Sequence, residues 1–292
     1  MMPDYTQPLY RPPSEARSLI FQITHGCSHN DCTFCGMYLH KPFRLKPLHQ
    51  VLEEIRRIPA DIVPRVRRIF LADGDAVIYP QERLLAILDA LNAKFPTVQR
   101  ISAYVGRKAM ATKTPAEWGQ LRQRKLSLLY FGLESANDQV TDLMNKGRDA
   151  DFTRQQAITL QEQGIALSVM VILGGGGQRL SREHALDTAR WATAVNPRYL
   201  SLLTLFLRRK QDFFDSLEPP TLGSLLDEAQ LLIENIDGKN IIFRANHISN
   251  LVTLSGTLPR DRDRLLQEIA RHREQLGRQG RLDEVPEFYE EF

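Results

Sequence analysis

The stretch from Gly26 to Gly36, GCSHNDCTFCG, holds all three cysteines of the chain, Cys27, Cys32 and Cys35, spaced C-x4-C-x2-C. Three thiols cannot pair off into disulfides, and clustered cysteines in a reducing compartment more often bind metal. Two donor sets are open. A structural zinc ion takes four ligands, so His25 or His29 would have to complete a Cys3His site. A four-iron cluster also takes four ligands. With three thiolates and no further cysteine, one iron would stay vacant and could bind a cofactor directly, unless a histidine filled the place.

The elements that must position these thiols alternate along the chain. Short β-rich runs over 18–23, 67–72, 98–104, 126–133, 165–173 and 199–207 are each followed by a segment with helical periodicity, and 241–245 reads as a last strand. Over 47–58, Leu48, Val51, Leu52, Ile55 and Ile58 fall on one helical face. Thr114-Pro115-Ala116-Glu117 is a capping box with proline at the first helical position, so a helix starts there. Further helices are expected over 152–163, ended by Gly164, from Ser181, over Leu222–Ile236, and from Pro259 to Leu276. Such a succession predicts a parallel sheet with helical crossovers. An open doubly wound sheet and a barrel compete. The missing G-x-G-x-x-G after the first strand argues against a dinucleotide fold, and the regular units favour the barrel. The expected fold is α/β, a partial (β/α)6 TIM-like barrel over 18–210, with an N-terminal extension (1–17) and a C-terminal strand and helix extension (211–292). The loop over 24–46 is far longer than the usual strand-to-helix connection, and it carries the cysteines. It leaves the C-terminal end of the first strand, the edge where such sheets place their active sites.

The composition excludes some classes. The chain has 292 residues, 42% hydrophobic and 25% charged, as in soluble globular proteins. A net charge of +3 with short basic runs such as Arg208-Arg209-Lys210 leaves nucleic acid open as a partner without arguing for it. No apolar run approaches the roughly 18 residues of a membrane span. The polar, proline-rich start has no signal-peptide core, so a cytoplasmic location is expected.

Cys27-x4-Cys32-Thr33-Phe34-Cys35, on the loop after the first strand of a β/α series, resembles the cluster loop of the radical S-adenosylmethionine (radical SAM) superfamily. The commonest pattern there is C-x3-C-x2-C with an aromatic before the last cysteine. Phe34 fits, and the first spacing is one residue longer. The resemblance runs over about residues 18–207. It implies that Cys27, Cys32 and Cys35 hold a [4Fe-4S] cluster and that Phe34 and Met37 lie beside bound S-adenosylmethionine (SAM). Asp73-Gly74-Asp75 resembles the segment that binds the methionine amino group, which gives that role to Gly74 and Asp75. Ser102 and Tyr104 match the polar contacts at the third strand, and Glu134 in YFGLES the acceptor for the ribose hydroxyls. Val171 and Ile172, before Gly174–Gly177, match the strand that flanks adenine, although the glutamate that closes the family's motif there has no counterpart.

The activity implied is reductive cleavage of SAM at a single cluster to a 5′-deoxyadenosyl radical, which abstracts hydrogen from a substrate. An external flavodoxin- or ferredoxin-like one-electron donor is implied as a partner. A small molecule is the first choice of substrate. The alternatives are tRNA, since the Gly-Leu-Glu-Ser segment resembles some RNA-directed subfamilies, and a non-catalytic zinc or iron–sulfur protein. The polar stretch 244–261, with Asn246, His247 and Asn250, is expected either to line a substrate pocket or to order a loop.

Overall fold

The structure is a computed structural model that describes residues 3–205 and 211–286. The last residues of the expected sixth strand, the 210/211 boundary and the Arg208-Arg209-Lys210 run lie outside them. In chain order the strands are β1 (Leu19–Gln22), β2 (Thr24–His25), β3 (Arg44–Leu45), β4 (Arg68–Ala72), β5 (Arg100–Val105), β6 (Leu126–Glu134), β7 (Ala166–Leu173), β8 (Tyr199–Thr204), β9 (Ile241–Ala245) and β10 (Leu254–Leu258). The α-helices are α1 (Leu48–Arg57), α2 (Gln81–Lys94), α3 (Arg107–Thr112), α4 (Pro115–Gln123), α5 (Asp138–Leu143), α6 (Ala150–Glu162), α7 (Ser181–Val195), α8 (Gln211–Asp215), α9 (Leu222–Asn235) and α10 (Arg262–Arg278). Among the described residues no helix is long and apolar enough to cross a membrane.

Eight strands form one sheet in the order β1-β4-β5-β6-β7-β8-β9-β10, and β2 and β3 form a separate antiparallel pair. β10 runs antiparallel to β9. Each new parallel strand is added on the same side, so no topological switch point arises of the kind a doubly wound sheet has. That progression is the barrel's, and the sheet stays open: the partial barrel is what forms.

The chain divides into two compact units. The first takes residues up to Asn30, Met37–Phe131 and Gln155–Leu167. Here β1, β4 and β5 pair in parallel register, Phe21 with Leu71 and Phe70 with Ser102. Their fully buried Phe21, Ile69, Phe70, Leu71 and Ile101 form its core with Leu84, Ile87, Leu88 and Leu91 of α2. The expected N-terminal extension is built into this unit. Glu15 is wholly buried and accepts from Tyr130 Oη (2.6 Å) and from Arg100 Nη2 (2.7 Å). Thr114 caps α4 as its sequence predicts, its side chain and that of Glu117 each accepting the other's backbone N–H.

The second unit takes Asp31–Gly36, Gly132–Arg154 and the chain from Ser168 onward. β7 and β8 pair from Ser168 with Tyr199 to Leu173 with Thr204, and β8 pairs with β9. One cluster of its core gathers Val140 and Met144 beyond β6, Leu180, Leu205, and Phe213, Phe214 and Leu217 from α8 and its end.

Candidate active site

In the first unit the flanks of the cysteine loop converge on one buried carboxylate. β4 ends at Ala72, and the next residue, Asp73, is 0% exposed. Its side chain accepts from Gln22 Nε2 (2.9 Å), from the Gly26 amide (3.2 Å) just before Cys27, and from Tyr38 Oη (3.1 Å) after Cys35. Lys41 Nζ lies 2.6 Å away and also donates to the carbonyls of Thr6 (2.5 Å) and Pro8 (2.7 Å). A buried ion pair persists only when its remaining hydrogen-bonding capacity is met, and here it is. Burial and the neighbouring Asp73 push the Tyr38 hydroxyl's pKa up, so it stays a donor.

Gly74 backs onto the loop. A Cβ there would stand 2.9 Å from the Tyr38 ring and 3.1 Å from Cys27 Cβ, so the chain passes where no side chain fits. Its amide donates to the Gly26 carbonyl (3.1 Å). Asp75 is wholly buried, with Oδ2 accepting from Ser28 Oγ (2.5 Å) and Oδ1 from the Gly106 amide (2.9 Å). Burial pushes its carboxyl up to about 6, against those two bonds. The carboxylate expected to meet the methionine amino group thus ties Ser28 of the cysteine loop to the end of β5. Ser102 is likewise buried and donates to the Ile69 carbonyl (3.2 Å). Tyr104 packs edge-on against Phe70 and Tyr130, at 5.3 and 6.0 Å between ring centroids. Met37 is exposed on the segment that leaves the loop.

In the second unit the Cys32–Cys35 segment sits on the end of α5. The Thr33 amide donates to the Met144 carbonyl (3.1 Å), and Thr33 Oγ1 to the Leu143 carbonyl (2.7 Å). These carbonyls end a helix and have no partner within it, so the loop completes them. Phe34 packs on the apolar cluster with Leu143 and Ile172, 6.4 Å from the Phe213 ring. Lys146 Nζ lies 5.8 Å over the Phe34 ring and 2.8 Å from Glu134 Oε1. Glu134 ends β6 with φ +62°, and its carboxylate folds back over Gly132. A Cβ at Gly132 would meet Glu134 Oε1 at 2.2 Å, so only glycine leaves room for that carboxylate. Three of the expected SAM residues, Phe34, Glu134 and Ile172, thus share one neighbourhood around Lys146 and the apolar cluster. Val171 does not join them. It is fully buried, and alternation along β7 sends it to the face opposite Ile172.

Beyond β9, the polar stretch orders itself. Asn250 accepts from Thr204 Oγ1 (3.1 Å) and donates to the Leu202 carbonyl (2.9 Å). The Thr204 amide donates to Ser249 Oγ (3.1 Å), and the Ser249 amide donates to His247 Nδ1 (3.2 Å), which leaves the ring proton on Nε2 and makes Ser249 Oγ (2.8 Å) a second donor to Nδ1. Asn250 is therefore committed to the end of β8, whereas Asn246 is exposed.

None of the three cysteines is in a disulfide. Among the described residues no three His, Cys, Asp or Glu side chains meet as ligands of one metal ion. The donor set nevertheless suits an iron–sulfur cluster: three thiols on one loop, and a glycine backbone against Cys27. The residues that sequence reasoning missed are Asp73 as an anchor, Lys41 and Lys146. The pairing of Lys41 with Asp73 carries no periodic or motif signal.

The Radical SAM superfamily sequence profile matches residues 21–192. No curated protein matches the chain in sequence. Among solved structures it is similar to the coproporphyrinogen III oxidase of Escherichia coli, a radical SAM enzyme, with TM-score 0.56 and 19% identity over 72% of this chain and 50% of that one. The chain thus spans half the length of that enzyme. It is also similar to methylornithine synthase, with TM-score 0.51 and 15% identity over 88% of this chain and 81% of that one. A third likeness is to HydG, a maturase of the [FeFe]-hydrogenase, with TM-score 0.51 and 13% identity over 76% and 50%. With more than half of its length matched, and with the cysteine loop lying inside the match, the chain belongs to the radical SAM superfamily.

Proposed function

We propose that this chain is a single-cluster radical SAM enzyme acting on a small molecule. In this reading Cys27, Cys32 and Cys35 hold one [4Fe-4S] cluster, and every cysteine of the chain is used by it. With cluster and SAM bound, and with an external one-electron donor, the chemistry supplied is cleavage of SAM to methionine and a 5′-deoxyadenosyl radical that takes hydrogen from the substrate.

The observation that carries the reading is the grouping of Phe34, Glu134, Lys146 and Ile172 against the Cys32–Cys35 segment. Phe34 and Ile172 offer an apolar wall to adenine. Glu134, held by Lys146, presents an acceptor to the ribose hydroxyls. The Gly74 backbone, its amide held by Gly26, offers the methionine end a carbonyl without a side chain in the way. Asp75 acts on this end indirectly, by fixing Ser28. The expected C-terminal extension (211–292) contributes the 246–250 loop to the substrate pocket, with Asn246 as its solvent-facing group. A small substrate is in keeping with a chain that has thiolates for one cluster only.

The test is anaerobic reconstitution with iron and sulfide, followed by reduction in the presence of SAM. The expected result is about four irons per chain and release of 5′-deoxyadenosine, with both lost together in Cys32→Ala. Bound zinc in place of iron, or a reduced cluster that yields no 5′-deoxyadenosine, would overturn the proposal.

A further inference from the structure

The second unit contains a buried chain of polar groups that the site as described does not use. Ser135, the residue after Glu134, is 0% exposed, His184 of α7 is 0% exposed and Glu228 of α9 is 2% exposed. Ser135 Oγ accepts from the Asn137 amide (2.9 Å) and lies 2.7 Å from His184 Nδ1. The Ser135 hydroxyl keeps a proton and a second lone pair for this contact, so the ring tautomer decides which of the two atoms donates. His184 Nε2 lies 3.4 Å from Glu228 Oε1, a close approach with no hydrogen bond between them. Glu228 then receives two donors from another part of the chain. The Gly174 amide, directly after β7, donates to Oε1 (2.8 Å), and Ser181 Oγ, at the start of α7, to Oε2 (2.6 Å). Burial pushes Glu228 up to about 7 and His184 down to about 4, so the ring is neutral at working pH.

Burying a carboxylate is costly unless its partners are fixed. Apolar residues would fill the same space at lower cost, so the arrangement calls for a role beyond packing. Its two ends supply one. One end is Ser135, adjacent to Glu134. The other is Gly174, two residues after Ile172. The Ile172 carbonyl also faces the His184 ring. Ser135 and His184 are hydrogen-bonded at the turn that aims Glu134, and Glu228, packed 3.4 Å from the His184 ring, is hydrogen-bonded to the strand end that carries Ile172.

We infer that His184 and Glu228 are positioning residues for SAM, holding the ribose-facing carboxylate of Glu134 and the adenine-facing Ile172 at a fixed spacing. The inference rests on the SAM roles proposed for those two residues. Neither positioning residue touches the cofactor. They act through the backbone of residues 134–135 and 172–174, and the cysteines do not depend on them.

The test uses the full chain, reconstituted anaerobically, with three readouts: iron content, the SAM dissociation constant, and the KM for SAM against kcat for 5′-deoxyadenosine formation. Glu228→Gln keeps an acceptor for the Gly174 amide and a polar partner for Ser181, and is expected to bind SAM as the wild type does. Glu228→Leu removes both and should weaken SAM binding on the order of 10-fold, the scale of one lost buried hydrogen bond. KM should rise while kcat and iron content hold. Ser135→Ala, a smaller change that cuts the other end of the chain, should weaken SAM binding in the same direction and keeps the test open if Glu228→Leu does not fold. Unchanged SAM affinity in the variants that fold overturns the inference, and so does a parallel loss of iron and SAM, which would mark general collapse. A wild-type chain that holds its cluster yet binds no SAM would instead overturn the proposed function, and this inference with it.

Discussion

Replacing Asp73 by asparagine tests how the cysteine loop is held. The substitution keeps the shape and removes the charge, so Lys41 is left buried beside a neutral amide. The two side chains are 0% and 5% exposed, which leaves little solvent to screen the loss. Breaking a buried pair by removing one partner costs about 3–5 kcal/mol. Lys41 retains the Thr6 and Pro8 carbonyls, which places the cost near the lower end, about 3 kcal/mol. Gly26, Gln22 and Lys41 all meet Oδ2 and Tyr38 meets Oδ1, so an asparagine oxygen that serves the first three leaves the Tyr38 hydroxyl facing the amide nitrogen. At about 2–4 °C per kcal/mol for chains of this order of size, the melting temperature should fall by about 6–12 °C. The assay is thermal unfolding under anaerobic conditions of the apo and the cluster-loaded chain, with iron release followed in parallel. Asp73→Asn should also lose iron faster than the wild type at a temperature where both are folded, because Gly26 and Tyr38 flank the three cysteines. Lys41→Met added to Asp73→Asn should recover part of the stability, since the uncompensated charge is then gone. A single variant that melts within about 1 °C of the wild type and retains iron equally would refute the clamp.

Two further outcomes are expected. Gly132→Ala should displace Glu134, whose Oε1 would lie 2.2 Å from the new Cβ, and should raise the KM for SAM with iron content unchanged; an unaltered KM would remove Glu134 from the site. Stability should also depend on pH through Glu228. Its folded pKa, about 7, lies above the ordinary 4.5, so its contribution is fully present below about pH 4.5 and is lost as pH rises through 7. His184, pushed down to about 4, works the opposite way and loses its contribution as pH falls from 6.5 through 4. Urea midpoints should therefore show Glu228→Gln gaining on the wild type as pH rises from 5 to 8, and a constant difference between the two would refute the buried, proton-holding carboxylate.

The succession of strands and helices was legible because period-2 and period-3.6 patterns survive in the sequence when each element buries one face. β5 and β7 fall within two residues of the runs that predict them, and Thr114 caps its helix by the pattern it carries. β10 was not legible. Its inward residues are Leu254 and Leu258 alone, with Gly256 between them, in a stretch otherwise read as polar loop. The short helices α3 and α8 have too few turns to show a period. At the site, the Val171 and Ile172 pair was separable in principle, since adjacent strand residues face opposite ways. The internal bonds of Asp75 and the pairing of Lys41 with Asp73 were not. Each joins residues more than thirty positions apart, and neither leaves a pattern along the chain.

The anchoring of the loop flanks to Asp73 also sets an order of events during synthesis. Cys27, Cys32 and Cys35 leave the ribosome first, and the carboxylate that draws Gly26 and Tyr38 together follows roughly forty residues later. At about 5–20 residues per second, the thiols spend several seconds on a nascent chain without their clamp. A metal or an oxidant met in that interval finds three thiols on a loop whose flanks are not yet fixed. Only once the β4 end has been made can Asp73 accept from Gly26 and Tyr38 and fix the two flanks of the loop.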